Sequence, residues 1–494
     1  MDSWIRPSRS LSGKGACAPP KAWYIMYMDK TYREYKPAQL LLLPPDLRDW
    51  LPEGHLVYVL SDIVGQLDLS AIFAAYEQGD GRGYPPYHPQ MMVTLLLYAY
   101  CDGKPSSRKI ELATWEEVPY RVLTADQHPD HATIAEFRRR HLNALAGLFL
   151  QVLWLCKQAG LVKLGHVALD GTKVKANASK RKAMSYGRMC TREEELAQEV
   201  AELLKAAEAT DEEEDRKYGR GKHGDEPPPE WQRKETRLKK IREAKAALEA
   251  EAKAKAAAEA EDVKKQLAER AKKEAERGRK FGGRPPQIPD VEKAKPEPKA
   301  QRNFTDPDSR IMKDGASGSF EQCYNAQAVV DSEAQIILAA EITQETNDKQ
   351  QLVPMLQQAV QNVGAPVVHA SADAGYFSEE AVEDERLKGL ELYVPPDRKR
   401  HGARDAATPS GQADGRSTRP LSAVAERMRA RLQSVAGRAV YKMRKAIVEP
   451  VFGQIKECRG FRRFSFRGGE KVSAEWKVIA LTHNLLKLCQ AKMA

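Results

Sequence analysis

The sequence has no apolar run long enough to cross a membrane. Its longest apolar stretches, near Met91–Ala99 and Leu148–Cys156, fall far short of the ~20 residues a spanning helix needs. Nor does it open like a secretory leader. Asp2, Arg6, Arg9 and Lys14 break up the first residues, and no apolar segment follows them. Cysteine is sparse and unpatterned. Cys17, Cys101, Cys156, Cys190, Cys323, Cys458 and Cys489 are odd in number, and none is spaced as a zinc site requires. They read as reduced, mostly buried thiols of a cytoplasmic protein, nucleoid-associated if its partner is DNA, with no membrane partner. A further lack is local: from about 180 to 300 the chain is almost free of large apolar side chains.

What is abundant is charge. Charged residues make up 30% of the 494, and 79 Lys and Arg against 69 Asp and Glu leave a formal net charge of +10. This balance favours a polyanionic partner, nucleic acid ahead of a membrane surface. The 42% of hydrophobic residues suffices for real cores, and the length suggests about three domains.

The texture divides the chain. Residues 1–35 read as a flexible N-terminus, with Met26 and Met28 as alternative starts. Residues 36–164 read as helical, a small DNA-binding domain for which a helix-turn-helix is one model. Met91 to Tyr100 is apolar nearly all round and suits a buried helix, and Ser106 or Ser107 can cap the next. Thr133 and Glu136 form a capping-box pattern ahead of one long helix, with Ile134, Phe137, Leu145, Leu148, Val152 and Leu155 on one face. Strand texture begins at Gly165 with GHVALDGTKVKANAS and stops abruptly. Residues 180–303 form an insertion rich in Ala, Glu and Lys. Leu238, Ile241, Leu248, Val263 and Leu267 are too sparse for a strong coiled-coil seam, so this stretch is two charged helices in an antiparallel hairpin or a partly disordered insert. Strands return after Asp306. Ala326–Val330 and Ile336–Ile342 make a hairpin. A helix capped by Asn347 or Asp348 follows, then strands at Val367–Ala372 and Glu391–Val394, a polar mobile loop over 396–420, and helix to the end. The class is α/β.

Two aspartates follow strand segments: Asp170 after Val167–Leu169, and Asp373 after Val367–Ala372. Each has a nearby glycine, as tight turns need, and Asp-Gly alone is a common turn pair. If the strands are neighbours, the two carboxylates converge at the sheet edge. There they can bind divalent cations, which take hard oxygen ligands and share them with phosphates. Two such ions about 3.5–4 Å apart can activate a water or a 3′-hydroxyl for phosphodiester chemistry. Glu449 lies among apolar Ile447, Val448, Val451, Phe452 and Ile455, with Lys456 two turns beyond on the same predicted face. Arg459, Arg462, Arg463 and Arg467 interleave with Phe461, Phe464 and Phe466, a composition that suits phosphate contact and base stacking, or a terminal segment whose phenylalanines are core. Arg138, Arg139 and Arg140 are candidates for phosphate contact or an exposed helix face. Asp331 and Asp348 read as hairpin and cap residues, and His166 and His369 as packing residues.

These residues resemble the DDE transposases of bacterial insertion sequences, close to the insertion sequence 1182 group within the four/five-type superfamily. The resemblance rests on ALDGTKVKANAS around Asp170, YNAQAVVD at 324–331, NDKQQLVPML at 347–356, ADAGYFS around Asp373 and VEPVFGQIKECRGFRRFSFRG around Glu449. YHPQMMVTLLLYAYCDGKPSSRKIE and HPDHATIAEFRRRH resemble the amino-terminal domain of the same transposases. The resemblance implies an RNase H-like catalytic domain over 165–494, interrupted by the 180–303 insertion. It implies Asp170, Asp373 and Glu449 as catalytic, metal-holding acids and two Mg²⁺ or Mn²⁺ ions. It also implies terminal inverted repeats and target DNA as partners, with a homodimer in the synaptic complex. Glu449 and Lys456 match a Tyr, Arg, Glu, Lys signature. Tyr441 and Arg444 stand one residue further upstream than it asks, and Lys442 and Lys445 occupy the in-register positions. Arg444, Lys456 and the arginines above are the expected DNA contacts. The alternatives are an RNase H-like nuclease without strand transfer and a catalytically inactive DNA-binding descendant.

Overall fold

The first described segments are helical, Leu56–Val64 with its apolar side chains on one face and Pro89–Cys101 apolar nearly all round. The computed structural model describes residues 46–77, 85–218, 229–279, 282, 284–313, 318–397 and 422–493. The predicted flexible N-terminus and all but the first two residues of the predicted mobile loop lie outside them. After a short turn at Leu47–Trp50 come α1 (Leu56–Val64), α2 (Ser70–Glu77), α3 (Pro89–Cys101), α4 (Ser107–Glu116), α5 (Val118–Thr124), α6 (His131–Arg140) and α7 (Leu142–Gln158). Pro89 opens α3 at a position where no amide hydrogen is needed, and the helix is then buried almost throughout. Ser106, one of the two serines expected to cap α4, stands at its N-cap position, but its side chain makes no capping hydrogen bond.

The single long helix predicted after Thr133 is two helices. Asp130 caps α6, accepting from the amides of Ala132 at 2.8 Å and Thr133 at 2.9 Å. Thr133 donates its hydroxyl to that same carboxylate, so the cap lies three residues before the capping-box pattern placed it. His141 separates α6 from α7.

The sheet grows from β1 (His166–Lys175), whose apolar first half is buried. A two-stranded clasp of β2 (Ala183–Ser185) and β3 (Gln301–Asn303) encloses α8 (Tyr186–Tyr218) and α9 (Pro229–Arg277). There follow β4 (Arg310–Lys313), β5 (Phe320–Asp331), β6 (Ile337–Thr343), α10 (Leu352–Val363), β7 (His369–Ser371), α11 (Glu379–Val382), β8 (Glu391–Tyr393), α12 (Ala423–Gln433), α13 (Val435–Gly453) and α14 (Gly469–Met493). In the main sheet β1 lies between β5 and β7. β8 flanks β7 on the far side, and both β4 and β6 pair with β5. β1 is antiparallel to β5 and parallel to β7, which is in turn parallel to β8. The mixed α/β class and the helical N-terminal region are as read from the sequence. The cap of α10 is not: Gln351 occupies that position, and Asp348 is engaged elsewhere.

Leu47–Ala494 form one compact unit, and a single core runs from the N-terminal helices through the sheet to α14. α14 carries Trp476, fully buried, with its indole donating to the Gln327 carbonyl at 3.0 Å. Gly103, at φ +73°, ends the α3 turn so close to the Arg459 backbone that a Cβ would stand 2.8 Å from its carbonyl oxygen. Only glycine suits both the conformation and the approach. The insertion has a small core of its own, in which Met189 and Leu196 of α8 meet Leu238, Ile241 and Leu248 of α9. Glu193 pairs with Arg242 and Lys245, and Glu199 with Lys234. The two helices therefore run antiparallel with a real seam near their root.

Truncating Trp476 removes the largest buried side chain between α14 and the sheet. Trp476→Ala is expected to cost about 3–5 kcal/mol, read as a lower denaturation midpoint in urea. A change under about 1 kcal/mol would contradict this placement of the core.

Candidate active site

The register of β1 on β7 brings the two aspartates together. His166 pairs with His369, Val167 with Ala370 and Ala168 with Ser371. Continued by two residues, the same register sets Asp170 level with Asp373. Asp373 lies just past β7 and caps the next turn, its Oδ1 accepting from the Gly375 amide at 2.7 Å. Asp170 is not at a strand end, because β1 runs on through Gly171 to Lys175. Asp-Gly is not a turn here. Gly171 faces Gln327 across the β1–β5 pair, and a Cβ on it would fall 2.4 Å from the Gln327 Nε2. Glycine is needed for that close approach rather than for a bend.

Successive side chains of β1 point to opposite faces. On the Asp170 face lies α13. Arg444, only 8% exposed, donates from Nη1 to the Asp170 Oδ2 at 2.9 Å, and its guanidinium lies 5.9 Å from the Tyr441 ring centre. Tyr441 and Arg444 thus reach the aspartate pair despite their offset from the signature. Arg444, expected on DNA, is engaged with Asp170. Lys456 comes from a π-helical turn at Gln454–Cys458 and donates to the Thr172 hydroxyl and the Lys173 carbonyl, each at 3.1 Å. Pro450 inside α13 leaves the Ala446 carbonyl without its helical donor, and Gln335 Nε2 supplies one at 3.1 Å.

Glu449 is not gathered with the two aspartates. It stands five residues beyond Arg444, about 140° further round the helix. Its side chain is 61% exposed, and its carboxylate is 4.0 Å from Lys445. Among the described residues no three acidic, His or Cys side chains form a cluster able to hold a metal. The converging triad expected from the sequence is present as a pair plus an outlying glutamate on the adjoining helix.

On the other face is a polar network that sequence reasoning missed. Asp348 Oδ1 accepts from Asn325 Nδ2 at 2.6 Å and Gln327 Nε2 at 2.7 Å. Gln327 Oε1 accepts from the buried Tyr376 hydroxyl. Tyr376 sits in the turn that begins at Asp373, so Asp348 and Gln327 anchor that turn to β5. The available signal was Asn325 and Gln327 at alternate positions within the otherwise apolar stretch Cys323–Val330 of β5.

Electrostatics marks the pair. Burial pushes the Asp170 carboxyl up to about 6, and neighbouring Asp373 adds to the shift. Arg444 and the Gly171 amide oppose it. Burial, offset by Asp348, Asp373 and Asp170, lowers Lys173. His166 is lowered to about 4 by burial and by His369. It bonds the Ser371 hydroxyl at the end of β7, at 2.8 Å. Asp331 accepts from the Lys163, Leu164 and Glu333 amides, as a turn residue does.

The predicted DNA contacts divide. Arg462, Arg463 and Arg467 are exposed. Arg459 is 4% exposed and donates to the Thr482 hydroxyl and the Ile479 carbonyl, too deep to meet a phosphate. Arg138 is half-buried, donating to the Pro105 carbonyl and lying over Phe466. Arg139 pairs with Glu136, and Arg140 donates to the Ala75 carbonyl. Phe461 and Phe464 are core, which removes them as stacking platforms for bases.

A mixed sheet carrying paired aspartates, faced by a helix with a buried arginine, defines an α/β domain with a candidate catalytic site beside its central strand. Family comparison agrees. Residues 45–140 match the family described as "Transposase domain (DUF772)", and residues 294–485 match the "Transposase DDE domain". Both matches are transposase domains, and together they are consistent with a DDE transposase of insertion sequences. Such proteins act on DNA and generally use divalent metal ions. Asp373, Tyr441, Arg444, Glu449 and Lys456 fall inside the DDE match, while Asp170 and the long helical hairpin lie between the two matches. Searches of curated proteins and of solved structures returned no match. No helix among the described residues is long and apolar enough to cross a membrane.

The folded protein binds the Asp170 proton more tightly than the unfolded chain, whose carboxyl has the ordinary 3.8. That contribution to stability is complete below pH ~4 and is lost as pH rises through about 6. Asp170→Asn lacks the loss. Its melting temperature is expected to gain on wild type between pH 4 and 6 and then hold a constant offset. A difference that does not change with pH would refute the raised carboxyl. Tyr376→Phe leaves Gln327 Oε1 short of a donor and is expected to cost about 1–3 kcal/mol in chemical denaturation.

Proposed function

We propose that the protein is an active transposase of the insertion sequence 1182 group, cutting DNA at its element's terminal inverted repeats and joining the freed 3′-hydroxyl to target DNA. The observation that carries this is the register that sets Asp170 of β1 level with Asp373, just past the adjacent parallel β7, within reach of Arg444 and Tyr441. Asp170 and Asp373 offer hard oxygen donors in a desolvated site, where burial, with Asp373 adding to it, raises the Asp170 carboxyl. That donor set fits Mg²⁺ or Mn²⁺. A divalent ion held there would supply Lewis acidity to the reacting phosphodiester. Glu449, on the helix that carries Arg444, would be the third acid of the site and would help to hold a second ion.

The protein's own groups have separate tasks. Arg444 holds one oxygen of Asp170, and the other accepts from the Gly171 amide at 2.8 Å. The turn anchored through Tyr376 and Gln327 holds Asp373 in line with β1. Lys456, braced on β1, places a cation where phosphates pass, and Arg462, Arg463 and Arg467 extend that positive surface. Two protomers are needed to hold two element ends, which makes a homodimer the expected synaptic form.

With Mg²⁺ and a duplex carrying the element's end, wild type is expected to give cleaved and strand-transfer products. Asp373→Ala and Glu449→Gln should give neither. Cleavage without joining would make the protein a nuclease. Full activity in Asp373→Ala would remove the aspartate pair from the chemistry. A second readout needs no turnover: Mg²⁺ should raise the melting temperature of wild type, more so above pH ~6 where Asp170 is ionised, and should leave Asp373→Ala unmoved.

A further inference from the structure

Two basic segments far apart in sequence meet at the end of β1 beyond the aspartates. The first is the short turn Lys180–Lys182, whose three side chains are exposed. It is held firmly. Asn303 Nδ2 donates to the Ser179 carbonyl at 2.8 Å, the Phe304 amide donates to the Lys182 carbonyl at 3.0 Å, and the Ser179 hydroxyl accepts from the Arg181 amide. The second is the run from Arg462 to Arg467, joined edge-on to β1. The Lys175 amide donates to the Arg462 carbonyl at 3.1 Å, and the Phe464 amide donates to the Lys175 carbonyl at 2.9 Å. Asn177 links the two segments: its Nδ2 donates to the Ser465 carbonyl, and its own carbonyl accepts from Arg467 Nε.

The resulting ridge is strongly positive. Glu321 lies 3.7 Å from Lys175 and 4.0 Å from Lys180, and Glu457 pairs with Arg462. Among the described residues, Arg181, Lys182 and Arg463 form no ion pair. We propose that the Lys180–Lys182 turn and the exposed arginines of 462–467 form one DNA-backbone-binding ridge, on which the duplex flanking the reacting phosphodiester lies. The proposal rests on the transposase reading above and adds to it the root of the helical insertion, a segment outside both family matches.

The spacing supports a single duplex reaching both places. From Asp170 to Lys175 is five strand residues, about 16 Å. Phosphates on one strand advance about 3.4 Å per nucleotide along the axis. The ridge therefore meets the backbone roughly five base pairs from the aspartates. Its cations hang on a backbone fixed by hydrogen bonds, which suits phosphate contact.

The test compares full-length wild type with the triple variant Lys180→Gln, Arg181→Gln, Lys182→Gln by fluorescence anisotropy on a mixed-sequence duplex over a range of salt, without divalent metal. Each phosphate contact contributes roughly 0.9 to the slope of log affinity against log salt. The triple variant should lose between one and about three units of slope, with an unchanged circular dichroism spectrum. The control Lys264→Gln, Lys265→Gln, on the exposed side of α9, should keep the wild-type slope. An unchanged slope in the triple variant, or an equal loss in the control, overturns the ridge. Absent salt-dependent binding in wild type overturns the ridge and the transposase reading together. A slope loss in the triple variant beside a wild type that cuts nothing leaves the ridge standing and removes only the catalytic claim.

Discussion

Everything at the site depends on β1 being paired on both edges at once. Its antiparallel partner β5 and its parallel partner β7 fix it in translation, and a slip of one residue would send Asp170 to the other face of the sheet. Gly171 is part of that constraint, since the space a side chain would fill is taken by Gln327. The aspartate pair is therefore a consequence of sheet register. The ion pair to Arg444 then ties the last long helices to the same strand, and Lys456 repeats the tie two residues along.

The arrangement is electrostatically uneasy without a cation. One arginine does not fully offset two carboxylates in a desolvated place, and the raised Asp170 carboxyl expresses the remainder. The fold tolerates this through rigid surroundings: a capped turn under Asp373, a buried tyrosine beneath it, and amides of Asn325 and Gln327 fastening Asp348 on the reverse face. Sites that bind charge are commonly held this way, with the unfavourable group kept in position by favourable neighbours.

Much of this was legible in the sequence. The α/β order, the hairpin of β5 and β6, the buried α3 and the aspartates followed from periodicity and from the resemblance. What was not legible depended on side chains meeting across long separations. Asp170 looked like a turn because Asp-Gly usually is one, and only the partner strand shows why the glycine is there. Arg459 looked like a phosphate ligand because it stands in a basic run, yet its guanidinium turns inward to α14. Glu449 was assigned to the site from its motif, but its angle on α13 leaves it in solvent. Thr133 lost the cap to Asp130, an equally good capping residue three positions earlier.

The clasp of β2 on β3 has a consequence for how this chain came to have its shape. Ser185 pairs with Gln301, so everything from Tyr186 to Ala300 leaves and re-enters the body through one strand pair. Its apolar seam is separate from the main core. A segment attached in this way is a detachable module: it can lengthen, shorten or be exchanged for a tight reverse turn between those two residues while the sheet keeps its register. The arm's length is therefore set apart from the register that aligns the two aspartates.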